Sequence, residues 1–243
     1  MVLNNNKTCM CAEDNTNAKN VLIVAPHPDD EVLGCGGVIK KMTLGHNKVF
    51  VLIMSRGKKG FYPEDRILNV RQEAIAAHKL LGVKETRFLD FPAPELDVIS
   101  ISELSTAIYN VILEIKPNTM FLPHRGDIHS DHKAVFDAGL VAARPVGGNS
   151  VKEIFTYETL SETEWAPPFP NDIFIPNTFI DISDVFDSKL EAMKCYKSQL
   201  REFPNPRSLR SIEALANLRG STVGFRHAES FMAIRIINPF FLM

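Results

Sequence analysis

Val21-Leu22-Ile23-Val24-Ala25 runs directly into Pro26-His27-Pro28-Asp29-Asp30-Glu31. The first five residues are apolar and rich in β-branched side chains, the composition of a strand buried on both faces of a parallel sheet. Ligands of open α/β sheets bind just beyond the carboxyl ends of such strands. Here that end carries one imidazole and three carboxylates. Packed side by side, the carboxylates repel one another, and a cation between them removes that cost. His with Asp is ligand chemistry suited to zinc. The block also fits a turn that ends a strand and caps the next helix, with Asp29 or Asp30 as N-cap and His27 at the surface.

A second cluster, His124-Arg125-Gly126-Asp127-Ile128-His129-Ser130-Asp131-His132, follows the short apolar run Met120-Phe121-Leu122-Pro123. By itself it fits a polar loop opening a helix, with Asp131 near the helix start. If both runs are strands of one parallel sheet, however, both clusters emerge at the same edge, and His27, Asp30 and His132 can meet at one metal. Three protein ligands with an open fourth position is the pattern of a catalytic zinc site. The finger spacings of a structural zinc site are absent.

The rest of the chain sets the frame. Its 243 residues, 45% of them hydrophobic, suffice for one sizeable core. The net charge is -2 and no basic stripe is visible, which argues against nucleic acid as a partner. Mean hydropathy is -0.04 and no apolar run is long enough to span a membrane. Residues 1–19 are polar and rich in Asn, without the pattern of a secretory signal; they are expected to form a disordered tail before a single domain over 20–243. Cys9, Cys11, Cys35 and Cys195 match neither a zinc knuckle nor a disulfide framework, so a reducing, cytoplasmic setting is expected.

Strand patterns at 21–25, 48–55, 85–91 and 120–122 alternate with helix patterns at 31–44, 66–81, 101–115 and 131–143. This alternation predicts an α/β, Rossmann-like fold: a mostly parallel sheet with helices on both faces. Beyond residue 149 come strands at 153–158, 179–182 and 230–237 and helices at 184–199 and 209–218. Gly34-Cys35-Gly36-Gly37 faintly echoes a dinucleotide fingerprint, but it follows the acidic block, where a pyrophosphate would meet Asp29 and Asp30. Close helix-on-sheet packing explains the glycines better. Arg56-Gly57-Lys58-Lys59-Gly60 forms a basic loop on the same presumed edge.

The two clusters together resemble the PIG-L/LmbE family of zinc-dependent N-deacetylases, whose signature is a strand followed by (Pro/Ala)-His-Pro-Asp-Asp-Glu and, downstream, a His-x-Asp-His segment. Here these are Pro26–Glu31 and His129-Ser130-Asp131-His132. Arg71-Gln72-Glu73-Ala74, Tyr196-Lys197-Ser198-Gln199 and Ala228-Glu229-Ser230-Phe231 are similar to softer family patterns. The chain departs at Ser130, where Pro is common, and at Gly57-Lys58, where Gly-Glu is frequent.

The resemblance implies one Zn2+ per chain held by His27, Asp30 and His132, with Asp29 as general base. It implies His129 as the group that stabilises the oxyanion or protonates the departing amine, and Asp131 as the carboxylate orienting His129. Arg71 is the candidate for gripping substrate hydroxyls, with an ion pair to a neighbouring acid as the competing use. Tyr157, Trp165 and Phe169 are candidates for stacking on a sugar, Tyr157 also for the core. The implied reaction removes an N-acetyl group from an N-acetylglucosamine-type sugar or conjugate; a zinc amidase acting on a non-sugar N-acyl substrate is the alternative. A metal-stabilised binder without turnover and nucleotide binding at Gly34–Gly37 are further rivals. Family members are often homo-oligomers, so a hexamer or dimer is an expectation.

Overall fold

The computed structural model describes residues 18–237. Apart from Ala18 and Lys19, the expected tail, with Cys9 and Cys11, lies outside them. The elements in chain order are β1 (Asn20–Ala25), α1 (Asp30–Leu44), β2 (Lys48–Gly57), α2 (Glu64–Leu81) and β3 (Glu85–Ala93), then a 3-10 turn (Leu96–Val98). There follow α3 (Ile101–Ile115), β4 (Thr119–Pro123), α4 (Ser130–Ala142), β5 (Glu153–Tyr157), β6 (Thr178–Asp181), α5 (Phe186–Cys195), α6 (Leu209–Ser221) and β7 (Ala228–Ile236).

The strands form one seven-stranded sheet in the order β3-β2-β1-β4-β5-β7-β6. β1 to β5 run parallel, and β7 is antiparallel to both of its neighbours. The period of two along β1 divides its side chains between two cores: Val21 and Ile23 pack with α1, α2 and α5, whereas Leu22 and Val24 pack with α3 and α4. This is the doubly covered sheet that the alternation of elements predicts. Helix α5 stops at Cys195 rather than running on to residue 199. The backbone N–H and hydroxyl of Ser198 both bond Glu73 of α2, at 3.0 and 2.6 Å, and so draw the chain out of the helix.

The connection from β1 leads to β2 on one side, and the chain later returns to lay β4 on the other. Val21 pairs with Thr119 and Ile23 with Phe121. The strand order therefore reverses between β1 and β4, which opens a crevice beyond their carboxyl ends. Both polar clusters of the sequence lie there.

Helix α1 carries the first cluster and sits very close to the sheet. A Cβ on Gly34 would lie 2.2 Å from the Tyr157 ring, and one on Gly37 2.8 Å from Ile182. The glycines thus serve packing. A buried ion pair grips the same helix: Glu229 of β7 accepts the backbone N–H groups of Gly37 and Val38 at 2.8 and 2.7 Å. Lys189 of α5 bonds Glu229 at 2.6 Å and the Leu33 carbonyl at 2.8 Å. Gly34→Ala is expected to cost about 1–3 kcal/mol through overpacking against Tyr157, measured as a lower urea midpoint at unchanged slope.

Candidate functional site

The turn from β1 into α1 is held in an uncommon conformation. Asp29 has φ 110° and ψ -28°, a region costly for a residue with a Cβ. It occupies the N-cap position, yet its side chain makes no capping bond. The capping alternative therefore describes its backbone and leaves the carboxylate for other work. Glu31 braces the turn: its Oε2 accepts the Asp29 N–H at 3.2 Å. The other oxygen of Glu31, fully buried, faces His78 Nε2 at 3.0 Å and accepts the Tyr196 hydroxyl.

The β4 loop brings in the second cluster. His132 Nε2 and His27 Nδ1 approach the same oxygen of Asp30, at 3.3 and 3.2 Å. Ligand atoms of His27, Asp30 and His132 all lie within 4.8 Å of one another. Each imidazole has its other nitrogen on a carboxylate. His132 Nδ1 is 2.8 Å from Asp127 Oδ2, and Asp127 Oδ1 accepts the Thr163 hydroxyl at 2.7 Å. His27 Nε2 is 2.9 Å from Asp131 Oδ2, and Asp131 Oδ1 accepts the Leu96 N–H at 2.8 Å. Such outer carboxylates fix the ring and its tautomer and turn the remaining lone pair towards a metal. The role of Asp127 was not legible beforehand, although its place five residues before His132 is the available signal.

Asp131 differs from expectation in its partner. It holds His27, not His129, whose Nδ1 lies 4.0 Å from the carboxylate. The Asp131 backbone N–H already occupies that Nδ1, at 3.2 Å, because His129 stands at the N-cap position of α4.

Two buried atoms test whether these residues suit a cation. Asp30 Oδ1 and His132 Nε2 have no hydrogen-bond partner, and orphaned polar atoms of this kind are rare in folded proteins. A divalent ion among the three side chains satisfies both. The electrostatics agree. Burial works to lower the His27 pKa, but Asp131 and Asp30 overcome it and raise the ring to about 9. Burial likewise opposes the charging of His132, which Asp30 and Asp127 nevertheless hold well above the usual range. The pull that keeps protons on these rings also attracts a metal ion, which displaces them on binding.

A cavity of about 190 Å3 adjoins the cluster, lined among others by His27, Asp29, His129, Arg71, Glu162 and Arg207. Burial pushes the Asp29 carboxyl up to about 7, with the Arg207 guanidinium 3.2 Å away pulling against it. Burial and the neighbouring His27 charge lower His129. Arg71 faces the cavity, but its Nη2 is held by the Leu89 carbonyl at 2.8 Å and by Asp90 at 2.7 Å. Lys58 is paired with Glu95 and Arg56 with Glu64, so the basic loop is largely neutralised. Tyr157 belongs to the core, its hydroxyl on the Val24 carbonyl at 2.9 Å. Trp165 and Phe169 are more than half exposed and do not line this cavity. Sequence reasoning did not single out Arg207 or Glu162, since neither lies in a cluster of metal-ligand residue types.

Fold and cluster together define an α/β protein of the switch-point type whose clustered His and Asp side chains could hold a metal ion. Residues 22–143 match the PIG-L family, described as GlcNAc-PI de-N-acetylase, and the chain belongs to that family. It is 29% identical over 248 residues to the diacetylchitobiose deacetylase of Thermococcus kodakarensis, covering 92% of this chain and 85% of the relative. It is 29% identical over 186 residues to the uncharacterized deacetylase YaiS of Escherichia coli K12, covering 74% and 91%. Among solved structures, the conserved protein TT1542 of Thermus thermophilus superposes with a TM-score of 0.74 at 25% identity, over 91% of this chain and 98% of that one. No helix among the described residues is long and apolar enough to cross a membrane.

Asp127→Asn is expected to weaken zinc affinity by about 10–100-fold while the fold persists, read by competition with a fluorescent chelator alongside circular dichroism.

Proposed function

We propose that this protein is a zinc-dependent N-deacetylase that hydrolyses the acetamide of an N-acetylglucosamine-type sugar or conjugate. The observation that carries this reading is the convergence of His27, Asp30 and His132, with Asp29 and His129 beside them on the same cavity wall. A metal-stabilised binder has no need of those last two. The name of the Thermococcus relative, a diacetylchitobiose deacetylase, supports a sugar substrate.

One zinc ion per chain, held by His27 Nδ1, Asp30 and His132 Nε2, would supply the positive charge that polarises the amide carbonyl and makes water a nucleophile near neutral pH. Asp29 accepts the proton that the attacking water loses, a task that its burial, which favours the protonated form, suits. Burial favours the neutral form of His129, and with Nδ1 accepting the Asp131 N–H its proton then sits on Nε2. That N–H donates to the oxygen on which charge develops. The proton taken by Asp29 passes to the amine as the carbon–nitrogen bond breaks, leaving acetate and the free amino sugar. Asp131 and Asp127 keep the two ligand rings oriented, and Arg207 holds Asp29 in place.

Cys35 and Cys195 are free thiols, which supports a cytoplasmic location. A homo-oligomer, a hexamer or dimer, is part of the same reading.

Metal analysis together with acetate release from diacetylchitobiose, N-acetylglucosamine conjugates and N-acyl amino acids tests the proposal; turnover confined to the amino acids would replace it with the amidase. Asp29→Ala is expected to retain zinc while kcat falls about a hundredfold or more, whereas His132→Ala loses the metal. Because Asp29 works only when ionised, kcat/KM rises with pH through its titration. Arg207 lowers that pKa, so Arg207→Met is expected to move the acid limb of the profile to higher pH; an unmoved limb would assign the limb to another group.

A further inference from the structure

Of the non-glycine residues with left-handed backbone among the described residues, His46 and Lys116 lie at helix C-termini, but Asp29 (φ 110°) and Ser161 (φ 74°) do not. Strain of this kind gathers at functional sites and persists only where the surroundings over-determine it. Both strained residues meet at one side chain. Arg207 donates from Nη1 to Asp29 Oδ2 at 3.2 Å and from Nε to Ser161 Oγ at 2.7 Å. The Ser161 turn aims the next residue at the cavity: Glu162 Oε1 lies 3.4 Å from Arg207 Nη2. The Glu162 carbonyl accepts the Ile128 N–H at 3.1 Å, which ties this turn to the loop carrying His129 and His132. Gln199 stands on the same wall, its Oε1 3.4 Å from Arg207.

The wall beside Asp29 thus presents a guanidinium, a carboxylate and an amide together. Glu162 Oε2 has no hydrogen-bond partner among the described residues. A neighbouring donor and acceptor match hydroxyl groups, each of which donates and accepts at once. An aliphatic acyl or amino-acid side chain seated there would strip water from these polar groups without offering a hydrogen bond in its place, which is costly. Arg71 lines the same cavity from α2, its Nη2 on the Leu89 carbonyl and Asp90.

We propose that Glu162 and Arg207 grip hydroxyls of the amino-sugar ring, Glu162 accepting and Arg207 donating, and that this pair makes the site selective for sugars over other N-acyl substrates. The proposal rests on the deacetylase reading. Zinc-loaded wild type and Glu162→Gln are compared on methyl N-acetylglucosaminide and its 3-, 4- and 6-deoxy analogues, with kcat and KM resolved. In the wild type, at least one deoxy analogue should lose about tenfold or more in kcat/KM. In Glu162→Gln the same analogue and its parent should differ by less than about threefold, and on the parent the rise in KM should exceed the fall in kcat. Undiminished discrimination by Glu162→Gln overturns the clamp and leaves the deacetylase standing. A uniform drop in kcat on every substrate also overturns it, since that is the signature of a mere prop for Arg207. If the wild type turns over no N-acetylglucosamine compound, the deacetylase reading falls. Calorimetric binding of methyl glucosaminide then decides the clamp: weaker binding to Glu162→Gln supports it, and equal affinities sink it.

Discussion

Asp29, Asp30, Glu31, Asp127 and Asp131 place five carboxylates where water scarcely reaches, and each needs compensating charge or hydrogen bonds where the backbone sets it. His132 answers Asp30 and Asp127; His27 answers Asp30 and Asp131; Arg207 answers Asp29; His78 and Tyr196 answer Glu31. The arrangement is nearly closed. What it leaves open, Asp30 Oδ1 and His132 Nε2, lies where a divalent ion completes it. Crowding of negative charge is thus costly to the fold and, at the same point, suited to a cation.

The parallel pairing of β1 with β4 makes that crowding possible. Each strand would otherwise end in an ordinary polar loop. Their shared register, with Ile23 beside Phe121, sets the two clusters side by side although about a hundred residues separate them in the chain. The chemistry then divides by depth. Buried Asp127 and Asp131 orient rings, the next layer offers the atoms that could hold an ion, and Asp29 and His129 face the cavity.

Much of this was legible in the amino-acid order because it depends on local pattern. Apolar runs and helical periodicity mark the alternating elements, and His and Asp at strand ends mark the ligands. Partner choice was less legible, since it depends on directions that side chains take only in the folded chain. Asp131 serves His27 because a backbone N–H had already claimed the His129 ring. Arg207 follows a proline-broken segment whose composition shows nothing of its destination, and Glu162 reaches the cavity through an unusual φ at Ser161 that no residue type announces. The sequence marked a basic loop at this edge but not the acids from α2 and the segment after β3 that pair with its Arg56 and Lys58.

The pair formed by Lys189 and Glu229 has a bearing on biosynthesis. It fastens the helix that begins with the metal motif, and one of its members sits in the last strand. A ribosome delivers His27 long before Glu229. Until the final strand inserts between β5 and β6, the emerging polypeptide lacks the anchor that sets its acidic turn, so that turn takes its final form only at the close of synthesis and an interrupted chain is left without it.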